Sequence, residues 1–131
     1  MLTFKEFTFD AAHSSPPFEG LHGHTFTVRV SLTGEAHPVY GWSHNLYDVE
    51  SAFEQVRSEV DHRYLNEVEG LPYPTLENLA RWIWTQLDRR LHGVDQVVIT
   101  RGTPGQMEGC AYSRSDYRAS QPDTTPKDAT G

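Results

Sequence analysis

The chain has 131 residues and a mass of 14.9 kDa, which suffices for one hydrophobic core but not for two independent domains. Its formal charge of −7, from 11 basic and 18 acidic residues, argues against nucleic acid or an anionic membrane as a partner. A single cysteine, Cys110, excludes an internal disulfide, and neither a secretory leader nor a membrane-spanning apolar run is visible. We therefore expect a globular, cytoplasmic protein.

Two strands are predicted near the N-terminus. In the strand predicted over Thr3 to His13, Phe7, Phe9 and Ala11 share one face, and His13 ends that apolar face. After a loop over 14–20, the segment 21–33 repeats the alternation, with His22 and His24 followed by apolar residues on the same face. Histidines therefore begin or end the apolar face of both strands.

Two helices and two more strands are predicted to follow. Asn45 and Thr75 are typical helix caps, and each precedes apolar residues at three- and four-residue steps. The β-branched segment Val94 to Arg101 predicts a third strand, and Cys110 to Ser113 predicts a short fourth one. The order ββααββ indicates an α+β fold.

The composition changes near residue 118. From there onward polar residues, glycine and proline dominate, with almost no apolar side chain available for a core. We therefore predict one folded domain over residues 1–117 and a disordered polar tail over 118–131.

Three histidines have the spacing of a metal site. His22 and His24 are two residues apart in a strand and so share a face, and His13 ends a neighbouring apolar stripe that can lie beside them. Neutral imidazole is a usual zinc ligand, and a catalytic zinc typically has three protein ligands and one open position. The sequence therefore predicts a zinc site at His13, His22 and His24.

For a single histidine, the ordinary interpretation is a surface or locally hydrogen-bonded side chain. We interpret His37, His44 and His92 in that way. His22 and His24 differ, because they begin an apolar strand face where an unpaired imidazole costs stability and a metal removes that cost.

Four segments together resemble one family, the 6-pyruvoyl-tetrahydropterin and 6-carboxytetrahydropterin synthases. They are F-x-A-A-H at Phe9 to His13, L-H-G-H-T-F at Leu21 to Phe26, D-H-R-Y-L-N at Asp61 to Asn66, and P-T-L-E-N-L-A at Pro74 to Ala80. They occur in the family's order and span most of residues 7 to 113. The chain is thus identified as a member on several motifs rather than on H-G-H alone.

The resemblance implies a tunnelling fold, with an antiparallel sheet and two helices on one face. It also implies a homohexamer of two trimers, with active sites at subunit interfaces. The family's zinc ligands correspond to His13, His22 and His24, in agreement with the spacing argument.

The resemblance also implies residues that handle protons and substrate. The family's catalytic Asp-His pair corresponds to Asp61 and His62, where the carboxylate orients the imidazole and raises its basicity. The alternative is that Asp61 only ends a helix and His62 interacts with the helix dipole. Within P-T-L-E-N-L-A, Thr75 and Glu77 are the candidate substrate-binding residues.

The first departure from the family concerns its cysteine, four residues before the first histidine of H-G-H. Phe18 stands there, whereas Glu19 completes an E-x-x-H-G-H segment. That segment resembles the family's glutamate variant, which forms 6-hydroxymethyl-7,8-dihydropterin from dihydroneopterin triphosphate. Glu19 is thus the candidate general base, and a solvated loop carboxylate is the alternative. Cys110 is expected to be a buried inert thiol.

The second departure is at the end of the third strand, where relatives have a glutamate that binds the pterin edge. Arg101 and Gly102 occupy those positions here. Arginine only donates hydrogen bonds, so it suits a substrate carboxylate or phosphate instead. Glu108, in the following loop, is the other carboxylate available for the pterin.

Three functions are therefore compared. The first is a zinc-dependent carbon–oxygen or carbon–carbon lyase that acts on a dihydroneopterin-triphosphate-like substrate, with Glu19 in place of the cysteine. The second keeps the fold and metal for a non-pterin anionic substrate held by Arg101. The third is a non-catalytic, zinc-stabilised binding module.

Overall fold

Strands and helices follow each other in the order that the sequence predicts, with two additions. The computed structural model describes residues 1–15 and 18–122, without the side chains of residues 15, 18 and 19. In chain order the elements are β1 (Thr3–Ser15), β2 (Phe18–Leu32), α1 (Leu46–Val60), a 3-10 helix (Leu65–Glu67), α2 (Leu76–Asp88), β3 (Val94–Arg101), β4 (Glu108–Ser113) and α3 (Arg114–Ser120).

The four strands form an antiparallel sheet in the order β1-β2-β3-β4. Phe9 of β1 lies opposite Phe26 of β2, and Val28 of β2 lies opposite Ile99 of β3. Because side chains alternate between the faces of a strand, this register collects the apolar residues on one face. We call this the inner face and the opposite one the outer face.

Side-chain caps begin both long helices, as the sequence predicts. The Asn45 side chain accepts a hydrogen bond from the backbone N–H of Tyr47, and the Thr75 hydroxyl accepts one from that of Asn78. Each cap satisfies a backbone donor that the first helical turn leaves without a partner. The caps therefore fix where α1 and α2 start.

Both helices pack on the inner face of the sheet. Phe53 of α1 stacks on Phe7 of β1 with ring centroids 4.2 Å apart, and the indole of Trp84 in α2 donates to the backbone oxygen of Asp95. Phe7, Phe53 and Trp84 belong to a single core cluster with the inner residues of the sheet. The predicted α+β class, with two helices on one face, is confirmed.

The third helix corrects the predicted start of the tail. Ser113 and Asp116 form a capping box, and Tyr117 stacks on Trp84 with ring centroids 4.8 Å apart. These contacts keep residues 118–120 helical, although their own composition is polar. Residues 123–131 of the predicted tail lie outside the described part of the chain.

Among the described residues, no helix combines the length and the apolar character that crossing a bilayer requires.

Candidate active site

The three predicted metal ligands meet at one end of the inner face. The pairing of β1 with β2 sets His13 opposite His22 and Ala11 opposite His24. A ligand nitrogen from each of the three imidazoles lies within 4.8 Å of the other two. We call these three residues the histidine cluster.

A backbone carbonyl orients the first histidine. His13 is only 2% exposed, and its Nδ1–H donates to the backbone oxygen of Pro74 at 2.9 Å, next to the start of α2. That bond leaves the lone pair on Nε2. A metal-bound histidine usually uses its other ring nitrogen in this way, to donate to a carbonyl or carboxylate.

Burial favours the uncharged form of two of these histidines. Burial lowers the pKa of His13, against the raising effect of its bond to Pro74, and the neighbouring His22 and Arg101 lower it further. The pKa of His24 is lowered by burial first and then by Arg101, His13 and His22, against a raising effect of Glu108. Since these pKa values fall below the ordinary value of 6.5, both imidazoles are neutral at neutral pH. Neutral imidazole is the form that binds a metal.

The cluster fits zinc. Within the described part of the chain, the His24 Nε2 atom is buried and has no hydrogen-bond partner. A buried nitrogen without a partner is costly, and a metal ion accepts its lone pair. The donor set contains three imidazoles and no thiolate, which is typical of a catalytic zinc site with an open position.

Arg101 reaches the histidine cluster from β3. It lies opposite Phe26, on the inner face, and its Nη1 atom is 3.5 Å from the Nε2 atom of His13. Its Nε–H donates to the carboxylate of Glu108 at 2.7 Å. Glu108 is the first residue of β4 and pairs with Arg101, whereas the sequence placed it in a loop. An arginine–glutamate pair thus borders the cluster.

Asp61 and His62 lie beside β1, at the edge of the sheet. Asp61 accepts a hydrogen bond from the Asp10 N–H at 2.9 Å, and its second oxygen lies 3.0 Å from the His62 Nδ1 atom. The bond from the Asp10 N–H holds the pKa of Asp61 below its usual value, and the bond with His62 lowers it further. The carboxylate thus stays charged beside the imidazole.

The Asp10 side chain joins this pair. Its carboxylate lies within 4.8 Å of the ligand atoms of Asp61 and His62, and we call the three residues the Asp-His cluster. Asp10 lies between Phe9 and Ala11 in β1, so its side chain projects from the outer face. Asp61 and His62 lie beside this residue along the edge of β1, where the backbone of residues 62 and 63 bonds to that of Asp10 and Ala12.

The backbone also fixes this arrangement. The His62 N–H donates to the backbone oxygen of Asp10 at 2.6 Å, and His62 has a φ of 58°. A non-glycine residue in this left-handed region often marks a functional position. The imidazole is 78% exposed and borders a shallow depression of about 660 Å³ that His24 also lines.

The model of the family "6-pyruvoyl tetrahydropterin synthase" matches residues 3–112, which include both clusters and the whole sheet except its last residue. The chain belongs to this family.

Curated relatives include two enzymes of pterin metabolism. The 6-carboxy-5,6,7,8-tetrahydropterin synthase of Synechocystis sp. is 35% identical over 107 residues, which are 72% of this chain and 83% of that protein. The dihydroneopterin monophosphate aldolase of Pyrococcus furiosus is 36% identical over 88 residues, which are 66% of this chain and 74% of that protein. The family assignment thus indicates a lyase of pterin biosynthesis.

Solved structures share the fold at lower identity. The 6-pyruvoyl tetrahydropterin synthase of Caenorhabditis elegans has a TM-score of 0.74 at 24% identity, covering 86% of this chain and 94% of that one. A Plasmodium vivax 6-pyruvoyltetrahydropterin synthase, solved as a catalytic-residue mutant with glutamate changed to cysteine, has a TM-score of 0.60 at 15% identity, covering 86% and 99%. The tunnelling fold implied by the sequence is confirmed.

The remaining candidate residues of the family motifs have less defined roles. The Thr75 hydroxyl is used as the cap of α2, and Glu77 is exposed in its first turn. Burial and then the Glu77 carboxylate raise the pKa of the half-buried Cys110 thiol, which makes it a poor nucleophile. The Glu19 side chain lies outside the described residues, and its backbone is in β2.

Sequence reasoning missed Asp10 as a neighbour of the Asp-His pair. The residue stands inside the F-x-A-A-H segment, at the position written as x, so only its charge distinguished it. Its proximity to the pair became apparent through a contact between β1 and the end of α1, some fifty residues later in the chain.

Proposed function

We propose that this protein is a zinc-dependent lyase of pterin biosynthesis that acts on dihydroneopterin triphosphate or a closely related pterin phosphate. The convergence of three imidazoles, one with a buried nitrogen that has no partner among the described residues, supports this proposal most directly. Zinc in such a site supplies a Lewis acid that polarises a substrate hydroxyl or carbonyl. His13, His22 and His24 hold it, and Pro74 orients His13.

Glu19 is the proposed general base, in place of the cysteine that the family commonly uses. It precedes His22 by three residues in the same strand, which brings its backbone close to the metal ligands. The catalytic-residue mutants of the Plasmodium vivax enzyme change a glutamate, which supports a catalytic carboxylate in this fold. In this role Glu19 takes the proton whose loss starts the bond cleavage.

The Asp61–His62 pair is the proposed second proton carrier, and it acts across a subunit contact. The pair lies along the edge of β1 and forms a group distinct from the histidine cluster of its own chain. A neighbouring copy supplies the pair if the chains assemble as the family resemblance implies, as a dimer of trimers. Asp61 stays ionised and orients the imidazole, so His62 exchanges protons with the substrate.

One experiment tests the metal and the base separately. We expect His22→Ala to lose bound zinc, whereas Glu19→Gln keeps about one zinc per chain and loses at least about a hundredfold in kcat, as removal of a general base does. Zinc is measured by elemental analysis, and turnover of dihydroneopterin triphosphate by mass spectrometry of the products. Glu35→Gln is the matched control, because that exposed glutamate follows the far end of β2.

Two results would contradict the proposal. Full activity of Glu19→Gln on the substrate that the wild type converts would exclude Glu19 as the base. Zinc-free wild-type protein after purification without chelators, with no uptake of added zinc, would exclude the metal centre.

A second candidate is a lyase with the same metal site and a non-pterin anionic substrate. Arg101 favours it, because the guanidinium lies where relatives present a carboxylate to the pterin ring. Titration with pterins that carry or lack a phosphate distinguishes the candidates. Binding of the pterin ring, with or without a phosphate, supports the pterin lyase, whereas failure of every pterin to bind supports the alternative.

A further inference from the structure

The Arg101 side chain is held in one orientation at the end of the inner face. Its side chain is 22% exposed, and the carboxylate of Glu108, which is 61% exposed, accepts a hydrogen bond from the Nε atom at 2.7 Å. Glu108 thus approaches the guanidinium from the solvent side. The Nη1 atom points inward, to the Nε2 atom of His13 at 3.5 Å.

This geometry brings two positive charges together when a metal binds. The Nη1–H of Arg101 is directed at the His13 Nε2 lone pair, so a divalent cation that takes this lone pair replaces the contact and becomes a close neighbour of the guanidinium. Arginine does not lose its charge in proteins. Three neutral imidazoles leave the charge of the metal uncompensated, and Glu108 balances only the charge of Arg101. An anion that contacts both cations removes the repulsion.

We propose that Arg101, oriented by Glu108, and the metal held by the histidine cluster form a subsite for an oxyanion. The substrate accordingly carries a phosphate or carboxylate group next to the atoms that react. The guanidinium donates two hydrogen bonds to such a group, while the metal takes one of its oxygens. This inference rests on the proposed zinc site, and it applies to pterin and non-pterin substrates alike.

The test measures zinc affinity against the concentration of inorganic phosphate, by competition with a chromophoric chelator and the full-length protein. Phosphate is expected to raise the zinc affinity of wild type about tenfold. If bound zinc raises the affinity for phosphate, phosphate must raise the affinity for zinc by the same factor. Arg101→Gln is expected to bind zinc at least as tightly as wild type without phosphate, and to gain nothing from it. Acetate, in a parallel series, shows whether a carboxylate replaces phosphate.

Arg29→Gln is the matched control. Arg29 also pairs with a glutamate, Glu6, at 2.8 Å, but its side chain lies on the outer face of β2. We expect Arg29→Gln to keep the wild-type response of zinc affinity to phosphate. This control also corrects for binding of phosphate to free zinc. Arg101→Lys keeps the charge without the paired donors, and we expect it to retain only part of the phosphate effect.

The possible failures are distinguishable. An equal phosphate effect in wild type and Arg101→Gln, or none in either, overturns the oxyanion subsite and leaves the zinc site standing. Weaker zinc binding by Arg101→Gln without phosphate also overturns it, because removal of a nearby positive charge has the opposite effect. If wild type binds no zinc with or without phosphate, the metal centre and the subsite both fall.

Discussion

His24 contains a buried nitrogen that has no hydrogen-bond partner among the described residues. His44 shows the ordinary alternative, because its Nε2–H donates to the backbone oxygen of Thr33 at 2.9 Å. A polar atom that is buried without a partner lowers stability, whereas a satisfied one contributes modestly. The two histidines should therefore respond in opposite ways to removal.

We expect His24→Ala to leave the free energy of unfolding unchanged or slightly higher in metal-free protein, because no hydrogen bond is lost. Zinc at a concentration of 100 Kd should stabilise wild type by about 2.7 kcal/mol and His24→Ala by much less. His44→Ala should lose about 1 kcal/mol and keep the zinc effect. Urea unfolding with chelator and with zinc, at one protein concentration, measures all three.

Equal stabilisation of wild type and His24→Ala by zinc would remove His24 from the ligand set.

At the scale of elements, the start of α2 connects helix capping to the histidine cluster. The Thr75 hydroxyl caps the helix, and the preceding residue, Pro74, accepts the hydrogen bond from His13. The cap fixes the backbone that carries this carbonyl, and the carbonyl fixes the ring of a ligand. The helix terminus thus supports the candidate metal site.

Thr75→Ala should lower the free energy of unfolding by about 1 kcal/mol through loss of the cap. It should also weaken zinc binding about tenfold, as changes behind metal ligands commonly do. Thr85→Ala is the control, because that threonine lies later in the same helix and its hydroxyl donates to the Arg81 backbone oxygen. Urea unfolding and zinc competition provide the two readouts.

Normal zinc affinity in a destabilised Thr75→Ala protein would show that Pro74 holds His13 without the cap.

At the scale of the whole molecule, the two candidate halves of the active site lie at different places on one sheet. The histidine cluster is on the inner face, whereas Asp61 and His62 lie along the edge of β1, with the Asp10 side chain on the outer face. Assembly of identical chains is one way to combine the halves, since each copy presents both.

We expect His24→Ala and His62→Ala to be inactive alone and to regain activity when mixed and reassembled. If each site takes its metal ligands from one chain and its Asp-His pair from another, a random equal mixture restores about a quarter of the sites. The measurement is the turnover of the mixed oligomer. The control is the double variant His24→Ala/His62→Ala mixed with either single variant, which should stay inactive.

No recovery in mixed oligomers of confirmed composition would assign both halves to the same chain.

The sequence by itself determined most of the secondary structure and the grouping of the three candidate metal ligands. Alternation of apolar residues predicted β1 and β2, and three- and four-residue steps after Asn45 and Thr75 predicted the helices. The same alternation put His22 and His24 on one face. These features are local, because strand and helix periodicity is written in neighbouring residues. The family motifs suggest functional roles for these residues, which periodicity does not indicate.

Only the tertiary structure decided which distant side chains meet. The approach of Arg101 to His13 depends on the pairing of β3 with β2, and the contact of Asp61 with Asp10 depends on where α1 ends against β1. The third helix likewise depends on Tyr117 reaching Trp84. Such contacts join residues far apart in the chain, so no local pattern specifies them; they follow from strand register and from packing around a shared core.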